Sequence, residues 1–326
     1  MPRQVDRYVA ENRQRIRGVD RRFIEVDSNQ NRDFSFGPST VEAVVSIELY
    51  KRTTGGQIIP GHSEDAHGFG RGTFGDDRGA WSSVTTTEAS VEFTKKGREA
   101  VAEALNGEAG AVEEGVAGVD GTTASTGDTA LGDERERVGV FATKDDFRTV
   151  RTYATYGAST PTGVVEFGLV DGDGRLLCRV TIASQSIATD DELKANILVE
   201  FVGDGIGNSV VTNDGEEAVA DAFKDPKSNV GPTEFGFGSG STTFSKSDSA
   251  LTTEEFRKAC ARELGRDFVI AKTHVYEDES GVTEPVDISE MAVFDNSGRM
   301  VWATTMRQFT NTDSIGFNAE SLIQVV

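Results

Sequence analysis

The stretch Gly118-Val119-Asp120-Gly121-Thr122-Thr123-Ala124-Ser125-Thr126-Gly127-Asp128-Thr129-Ala130-Leu131-Gly132-Asp133-Glu134 decides how this chain is read, because it occurs twice. From Gly238 to Glu254 the sequence runs Gly-Ser-Gly-Ser-Thr-Thr-Phe-Ser-Lys-Ser-Asp-Ser-Ala-Leu-Thr-Thr-Glu. Gly118, Thr122, Thr123, Asp128, Ala130, Leu131 and Glu134 meet identical residues 120 positions later, at Gly238, Thr242, Thr243, Asp248, Ala250, Leu251 and Glu254. A segment that otherwise reads as loop holds its spacing without a gap. That points to duplication of a whole structural unit.

Upstream of the loop, Val91–Thr94 reads as the end of a strand and Gly97–Leu105 as an Ala-rich helix of about two turns. Val210–Gly215 followed by Glu216–Phe223 repeats this at an offset of 118. Ala100, Val101 and Ala104, with Ala218, Val219 and Ala222, make the expected buried stripes. Downstream, Glu134–Tyr156 and Glu254–Tyr276 each read as two strands joined by a turn near Asp146-Phe147 and Asp267-Phe268. Glu166 to Leu177 then matches Glu290 to Val301 at an offset of 124. Each is a hairpin around Asp-Gly-Asp-Gly or Asp-Asn-Ser-Gly, whose Gly and Asn accept positive φ. Thr181–Val199 and Thr305–Val325 close the two copies with a final apolar strand.

The order strand, short helix, loop, two strands, hairpin and closing strand predicts an α+β fold that is mainly β. The expected organisation is two tandem antiparallel β-sandwich modules, each carrying a short helix, over 91–205 and 206–326. Residues 1–90 precede them as a region of one helix plus strands.

The net charge of −21 excludes general nucleic-acid binding, which needs positive charge to displace counterions. Arg outnumbers Lys, and the polar residues lean to Asp, Glu, Thr and Ser. Such a surface suits concentrated salt, where self-repulsion is screened, and suggests a halophilic origin. Met-Pro-Arg-Gln-Val-Asp-Arg at the N-terminus shows no apolar signal region, and no apolar run reaches membrane-spanning length. The expectation is a protein made in the cytoplasm with no membrane span. Two cysteines, Cys178 and Cys260, are too few for a disulfide framework.

Residues 1–27 reverse the acidic trend: Arg3, Arg7, Arg13, Arg15, Arg17, Arg21 and Arg22 crowd around Val5, Val9, Ile16, Val19 and Phe23 at helical spacing. This predicts one amphipathic helix with a basic face, either solvated or a docking arm for an acidic partner. Val41–Tyr50 reads as a strand, and Gly55–Trp81 as a long loop. That loop holds His62, Glu64, Asp65 and His67, the one dense cluster of candidate ligands for a divalent structural cation. Their spacing matches no ligand signature, and loops of acidic proteins collect such residues by composition alone.

Other chemistry falls away on inspection. Asp171 and Asp173 resemble the opening of a calcium loop, but no Glu stands at its twelfth position, so a plain hairpin turn is expected. Gly236-Phe237-Gly238-Ser239-Gly240 lacks the Lys-Ser/Thr of a phosphate loop. Cys178 aligns with Trp302, which marks a packing position, and His274 aligns with Tyr153 in a strand. No catalytic residue and no cofactor is assigned. The Thr and Asp side chains of the repeated loop suit capping of backbone N–H groups.

The pattern resembles a module of tail-fibre, tail-collar and baseplate-associated proteins of tailed viruses. Gly97, Gly118, Thr122, Thr123, Asp128, Thr129, Ala130, Leu131, Glu134, Glu166, Gly168, Leu169 and Gly174 carry the likeness in the first copy. Gly238, Gly240, Thr242, Thr243, Asp248, Ala250, Leu251 and Glu254 carry it in the second. Where the pattern has Gly-x-Gly, the first copy departs with Gly118-Val119-Asp120-Gly121. The resemblance implies a non-enzymatic virion structural protein that assembles as a homo-oligomer, with a trimer favoured. Joined to the salt-adapted composition, it suggests a virus of a salt-loving archaeon. Residues 1–90 would contact other virion proteins, and the modules a host surface glycan or surface layer. The alternatives are a vertex spike of an icosahedral halovirus, or a cellular adhesin or carbohydrate-active protein.

Overall fold

A computed structural model describes residues 24–26, 32–35, 39–53, 81–84, 88–108, 112–157, 163–185, 191–205, 208–225, 230–275, 286–311 and 317–326. In chain order the first elements are β1 (Ile24–Val26), β2 (Arg32–Ser35), β3 (Ser39–Thr53), β4 (Ser82–Val84), β5 (Glu88–Phe93), α1 (Lys95–Leu105), β6 (Val112–Gly118), β7 (Glu134–Gly139), β8 (Phe141–Lys144) and β9 (Thr149–Tyr156). There follow β10 (Val164–Asp171), β11 (Leu176–Gln185), β12 (Asp191–Asp204), β13 (Ser209–Val211), α2 (Asn213–Lys224), β14 (Pro232–Gly238), β15 (Glu254–Ala259), β16 (Ala261–Leu264), β17 (Phe268–Val275), β18 (Val286–Asp295), β19 (Met300–Asn311) and β20 (Phe317–Val325). The protein is mostly β, with several antiparallel sheets and, among the described residues, two helices.

The chain gathers into two compact units. One takes Glu42–Val202, Glu216–Gly231 and Val325–Val326; the other takes Met1–Val41, Gly203–Gly215 and Pro232–Gln324. They are called first and second here after the copy of the loop each holds. In the first unit one sheet runs β5-β11-β10-β6-β7, while β4, β3, β12, β9 and β8 pair in that order. In the second, one sheet runs β13-β19-β18-β14-β15, and β1, β2, β20, β17 and β16 pair in order. The β2–β20 pair is parallel. Aromatic side chains join the two sets of strands in each unit. Tyr156 of β9 meets Phe167 of β10 with ring centroids 5.7 Å apart. Phe237 of β14 meets Phe317 of β20 edge-on at 5.1 Å.

Glu134–Tyr156 was expected as two strands, and the chain makes three. After β7 pairs with β6, the chain leaves that sheet at Val140, whose N–H donates to Glu113 at 2.9 Å, and β8 joins β9. The second copy makes the same crossing at Cys260, whose N–H donates to Thr233 at 2.8 Å. A sheet change needs no glycine or proline, so the sequence carries no mark of it.

Both helices run longer than the two turns expected. Thr94 caps α1 by accepting from the Gly97 N–H at 3.0 Å, and its hydroxyl donates to the Leu176 carbonyl. Thr212 accepts from the Gly215 N–H at 3.1 Å and donates to the Met300 carbonyl. Gly97 and Gly215 sit where a Cβ would collide with the backbone carbonyls of Leu177 and Val301, so the first helical turn lies directly on a strand. Burial extends beyond the expected stripe. Ala102 and Glu99 of α1 are buried with Ala100, Val101 and Ala104, as is Ala220 of α2. Ala on nearly every side suits a helix enclosed by sheet. Within the first unit Phe223 of α2 packs on Phe93 and Phe201, at centroid separations of 6.0 and 5.5 Å.

The hairpins formed as expected. Gly174 and Gly298 adopt φ of 79° and 83°. Asp171 Oδ1 accepts from the Asp173 and Arg175 N–H groups at 3.1 and 2.8 Å, and Asp295 Oδ1 accepts from Ser297 and Arg299 at 2.9 and 3.0 Å. Each carboxylate also binds the guanidinium four residues on, at 2.7 and 2.8 Å. These are turn-closing carboxylates.

At the N-terminus the expectation of a single helix over 1–27 fails at its end. Ile24–Val26 is a strand antiparallel to β2, as the alternating β-branched Ile-Glu-Val allows. The rest of that helix, residues 1–23 and 27, lies outside the described residues. So do His62, Glu64, Asp65 and His67.

Candidate functional site

The repeated loop leaves one sheet at Gly118 and returns to it at Glu134. Opposite Gly118 in the ladder stands Glu166 of β10, a fully buried carboxylate. It is the hub of the first copy. Its Oε1 accepts from the N–H groups of Asp120 and Asp133, at 3.2 and 3.0 Å, and its Oε2 from Gly132 at 3.1 Å. The two ends of the loop are thus fastened to one side chain. Gly118 is required by that approach: a Cβ there would collide with Glu166 Oε1 and lie 2.6 Å from the Asp133 carbonyl.

A buried carboxylate needs a counter-charge, and Arg179 of β11 supplies it. Its Nε and Nη2 lie 2.9 and 2.8 Å from Glu166 Oε2, and its Nη1 lies 2.9 Å from Asp128 Oδ2. Nη2 also donates to Thr122 Oγ1 at 3.1 Å. Asp128 Oδ2 accepts from the Ser125 N–H at 3.0 Å as well, so one carboxylate caps the turn and binds the guanidinium. Asp120 accepts from the Thr122 N–H and hydroxyl at 3.0 and 2.9 Å; these bonds, with Arg179 nearby, hold its carboxyl below the usual range. The Lys95 N–H donates to Thr126 at 2.8 Å, tying the loop to the start of α1.

The second copy keeps the hub and changes what surrounds it. Glu290 of β18 is fully buried opposite Gly238, and its Oε1 accepts from the Thr253 N–H at 2.8 Å. A Cβ on Gly238 would lie 2.5 Å from that oxygen. Asp248 Oδ2 again caps the turn, accepting from the Ser245 N–H at 2.8 Å. The ladder position of Arg179, opposite Gly168, is held here by Ala303, opposite Ala292. Phe244, which stands where the first copy has Ala124, packs with Leu251, Ala292, Phe294, Met300 and Ala303. Glu290 Oε2 has no hydrogen-bond partner among the described residues. One copy fills the space beneath the loop with a guanidinium, the other with a phenyl ring.

Of the residues singled out from sequence, Leu131 and Leu251 anchor the loops, Leu131 against Val116, Val170 and Leu176. Ala130 and Ala250, which precede them in the repeated Ala-Leu pair, are exposed. Thr122, Thr123, Thr242 and Thr243 face outward. Glu134 and Glu254 open β7 and β15 and bind Arg137 and Arg257, at 2.9 and 2.8 Å. Sequence reasoning missed Glu166, Glu290 and Arg179 as the residues beneath the loop. The two glutamates were visible as an identity at the 124 offset. Arg179 was visible only as a mismatch with Ala303.

The cysteines sit in packing positions. Cys178 is fully buried beside Leu169, and burial pushes its thiol up to about 12. Burial likewise pushes the Cys260 thiol up to about 11. His274 pairs with Asn318 across β17 and β20, Nδ1 to Oδ1 at 2.5 Å. Among the described residues no three His, Cys, Asp or Glu side chains converge as a metal site, and no helix is long and apolar enough to cross a membrane. Comparison with protein families, with curated proteins and with solved structures returned no match.

Proposed function

We propose that the chain is a non-enzymatic structural component of a virion, from the tail, baseplate or fibre of a virus of a salt-loving archaeon. In this reading the two copies are tandem β-sandwich modules, over about 91–205 and 206–326, that serve as spacers or adaptors and present their loops to a neighbour or host surface. Residues 1–90 dock to the particle, and the assembly is a homo-oligomer. One observation carries the reading. Glu166 and Glu290, the buried carboxylates that the two loops share, accept from loop backbone N–H groups, three at Glu166 and one at Glu290. Duplication has preserved a device that holds a loop in place.

The net charge of −21 and the tailed-virus resemblance of the loop supply the rest. Mass spectrometry of purified particles tests the proposal, with the chain expected as a stoichiometric component alongside capsid and tail proteins. Its absence from particles, or hydrolysis of a surface glycan abolished by a single carboxylate substitution, overturns it. Imaging of the labelled protein at capsid vertices would move it from tail to spike.

A further inference from the structure

The two buried glutamates are served unequally. Glu166 accepts from three loop N–H groups and meets Nε and Nη2 of Arg179. Glu290 is buried as completely, yet among the described residues it accepts only from the Thr253 N–H. Its Oε2 is enclosed and has no hydrogen-bond partner among them, and no cationic side chain among them pairs with it. A buried carboxylate without a counter-charge is costly.

The first copy shows which groups surround such a charge. Four oxygens converge on the Arg179 guanidinium: Glu166 Oε2 at 2.8 Å, Asp128 Oδ2 at 2.9 Å, Thr122 Oγ1 at 3.1 Å and the Asp120 carbonyl at 3.4 Å. A fifth, Asp120 Oδ2 at 3.8 Å, has no counterpart where Gly240 stands. The second copy keeps the four, as Glu290, Asp248, Thr242 and the Gly240 carbonyl, on a loop of the same length whose turn Asp248 caps as Asp128 does. What it gives up is the cation, because Ala303 stands in the ladder where Arg179 stood. Phe244 fills volume beneath the loop but carries no charge and no donor.

Gly240 brings the loop onto the unpartnered oxygen: a Cβ there would lie 2.4 Å from Glu290 Oε2. Oε2 therefore faces the leading end of the loop, whose Gly240 carbonyl accepts from Ser289 Oγ at 2.6 Å. Thr242 is exposed and Asp248 half-buried, so on their side the loop meets solvent. Carboxylate, carbonyl and hydroxyl oxygens suit hard metal cations. Only two of the four groups are carboxylates, and the first copy answers the same four with a single positive charge.

We infer that the second loop binds a monovalent metal cation, sodium or potassium, at Glu290 Oε2, with the Gly240 carbonyl, the Thr242 hydroxyl and the Asp248 carboxylate around it. The ion does for the second loop what the Arg179 guanidinium does for the first: it answers the buried carboxylate and draws the loop onto the sheet. The first loop carries its cation in the chain, whereas the second takes its own from the salt around it. The inference does not depend on the virion proposal.

The test is hydrogen exchange of the full-length chain, compared between residues 239–253 and 119–133 of the same molecule. Ionic strength is held constant with tetramethylammonium chloride while sodium or potassium chloride replaces it. An ion at ten times its dissociation constant lowers opening of the loop it holds by about tenfold. Exchange in the second loop should slow by that factor, and the first loop should stay unchanged. Titrating sodium and potassium separately shows which ion is the occupant. E290Q should lose the response. So should F244A/A303R, in which a guanidinium takes the ion's part, and this variant decides the matter if E290Q does not fold. The inference is overturned if neither loop responds, if both respond alike, or if millimolar magnesium or calcium acts where the monovalent ions do not. It is overturned equally if the response survives in a folded variant.

Discussion

The first and second loops follow the same path and are held by the same buried glutamate, yet beneath them the chemistry is opposite. In the first copy Arg179 fills the space and answers the charges of Glu166 and Asp128. In the second, Ala303 stands at that ladder position and Phe244 packs on it. A small residue in the loop goes with a long cation in the strand, and a large apolar residue in the loop with a small one in the strand. The backbone path therefore does not depend on the filling. It goes with the glutamate, which fastens both ends of the first loop and the returning end of the second, and with the glycine that lets the carboxylate come close.

This comparison can be broken from either side. The largest effect is expected from Arg179→Ala, which leaves Glu166 and Asp128 without their cation. Stranding a buried charge costs about 3–5 kcal/mol, so urea unfolding of the first unit should shift by that amount while the second unit holds. Phe244→Ala should cost the second unit about 3 kcal/mol, as expected for emptying a mostly buried aromatic site. The first copy carries a buried alanine at the equivalent position, Ala124, and has Arg179 in the strand where the second has Ala303. Gly118→Ala and Gly238→Ala each drive a methyl group into the buried carboxylate and a loop carbonyl, and should cost about 1–3 kcal/mol apiece. Equal costs at the two glycines would show that the fastening, unlike the filling, is common to both copies.

The smallest effect concerns acid. Asp120 has no counterpart in the second loop, where Gly240 stands, and its carboxyl titrates below 3.8 in the folded chain. A depressed carboxyl stabilises the fold above its unfolded pKa, and that contribution is lost as pH falls through its folded value. The first loop should therefore lose protection to amide exchange on acidification below about pH 3.8, and Asp120→Asn should remove that component. An identical acid response in Asp120→Asn would contradict it.

Much of this arrangement was legible in the sequence, and the limits have physical causes. The hairpins were legible because Gly174 and Gly298 must take positive φ, and few residues do so cheaply. The loop was legible because duplication kept Thr122, Thr123, Asp128 and Leu131 in step with Thr242, Thr243, Asp248 and Leu251. The hub was not. Glu166 lies beyond the loop's far end, in a strand whose neighbours are apolar, and only the three-dimensional fold brings its carboxylate under Asp120 and Asp133. Arg179 was hidden more thoroughly, because comparing the copies highlights what they share and it is what they do not share. The crossing at Val140 and Cys260 was hidden because an ordinary residue makes it.

The most direct test is a double-mutant cycle that moves the first copy's filling into the second, by denaturant unfolding of the wild type, Phe244→Ala, Ala303→Arg and the pair combined. Ala303→Arg alone should destabilise, since Phe244 holds the space the guanidinium needs. With Phe244→Ala the arginine can reach Glu290 and Asp248, so the double variant should be more stable than the sum of the singles by at least about 1 kcal/mol, the coupling expected of residues in contact. Additivity within about 0.3 kcal/mol would mean that the two fillings are unrelated substitutions, and would contradict the account.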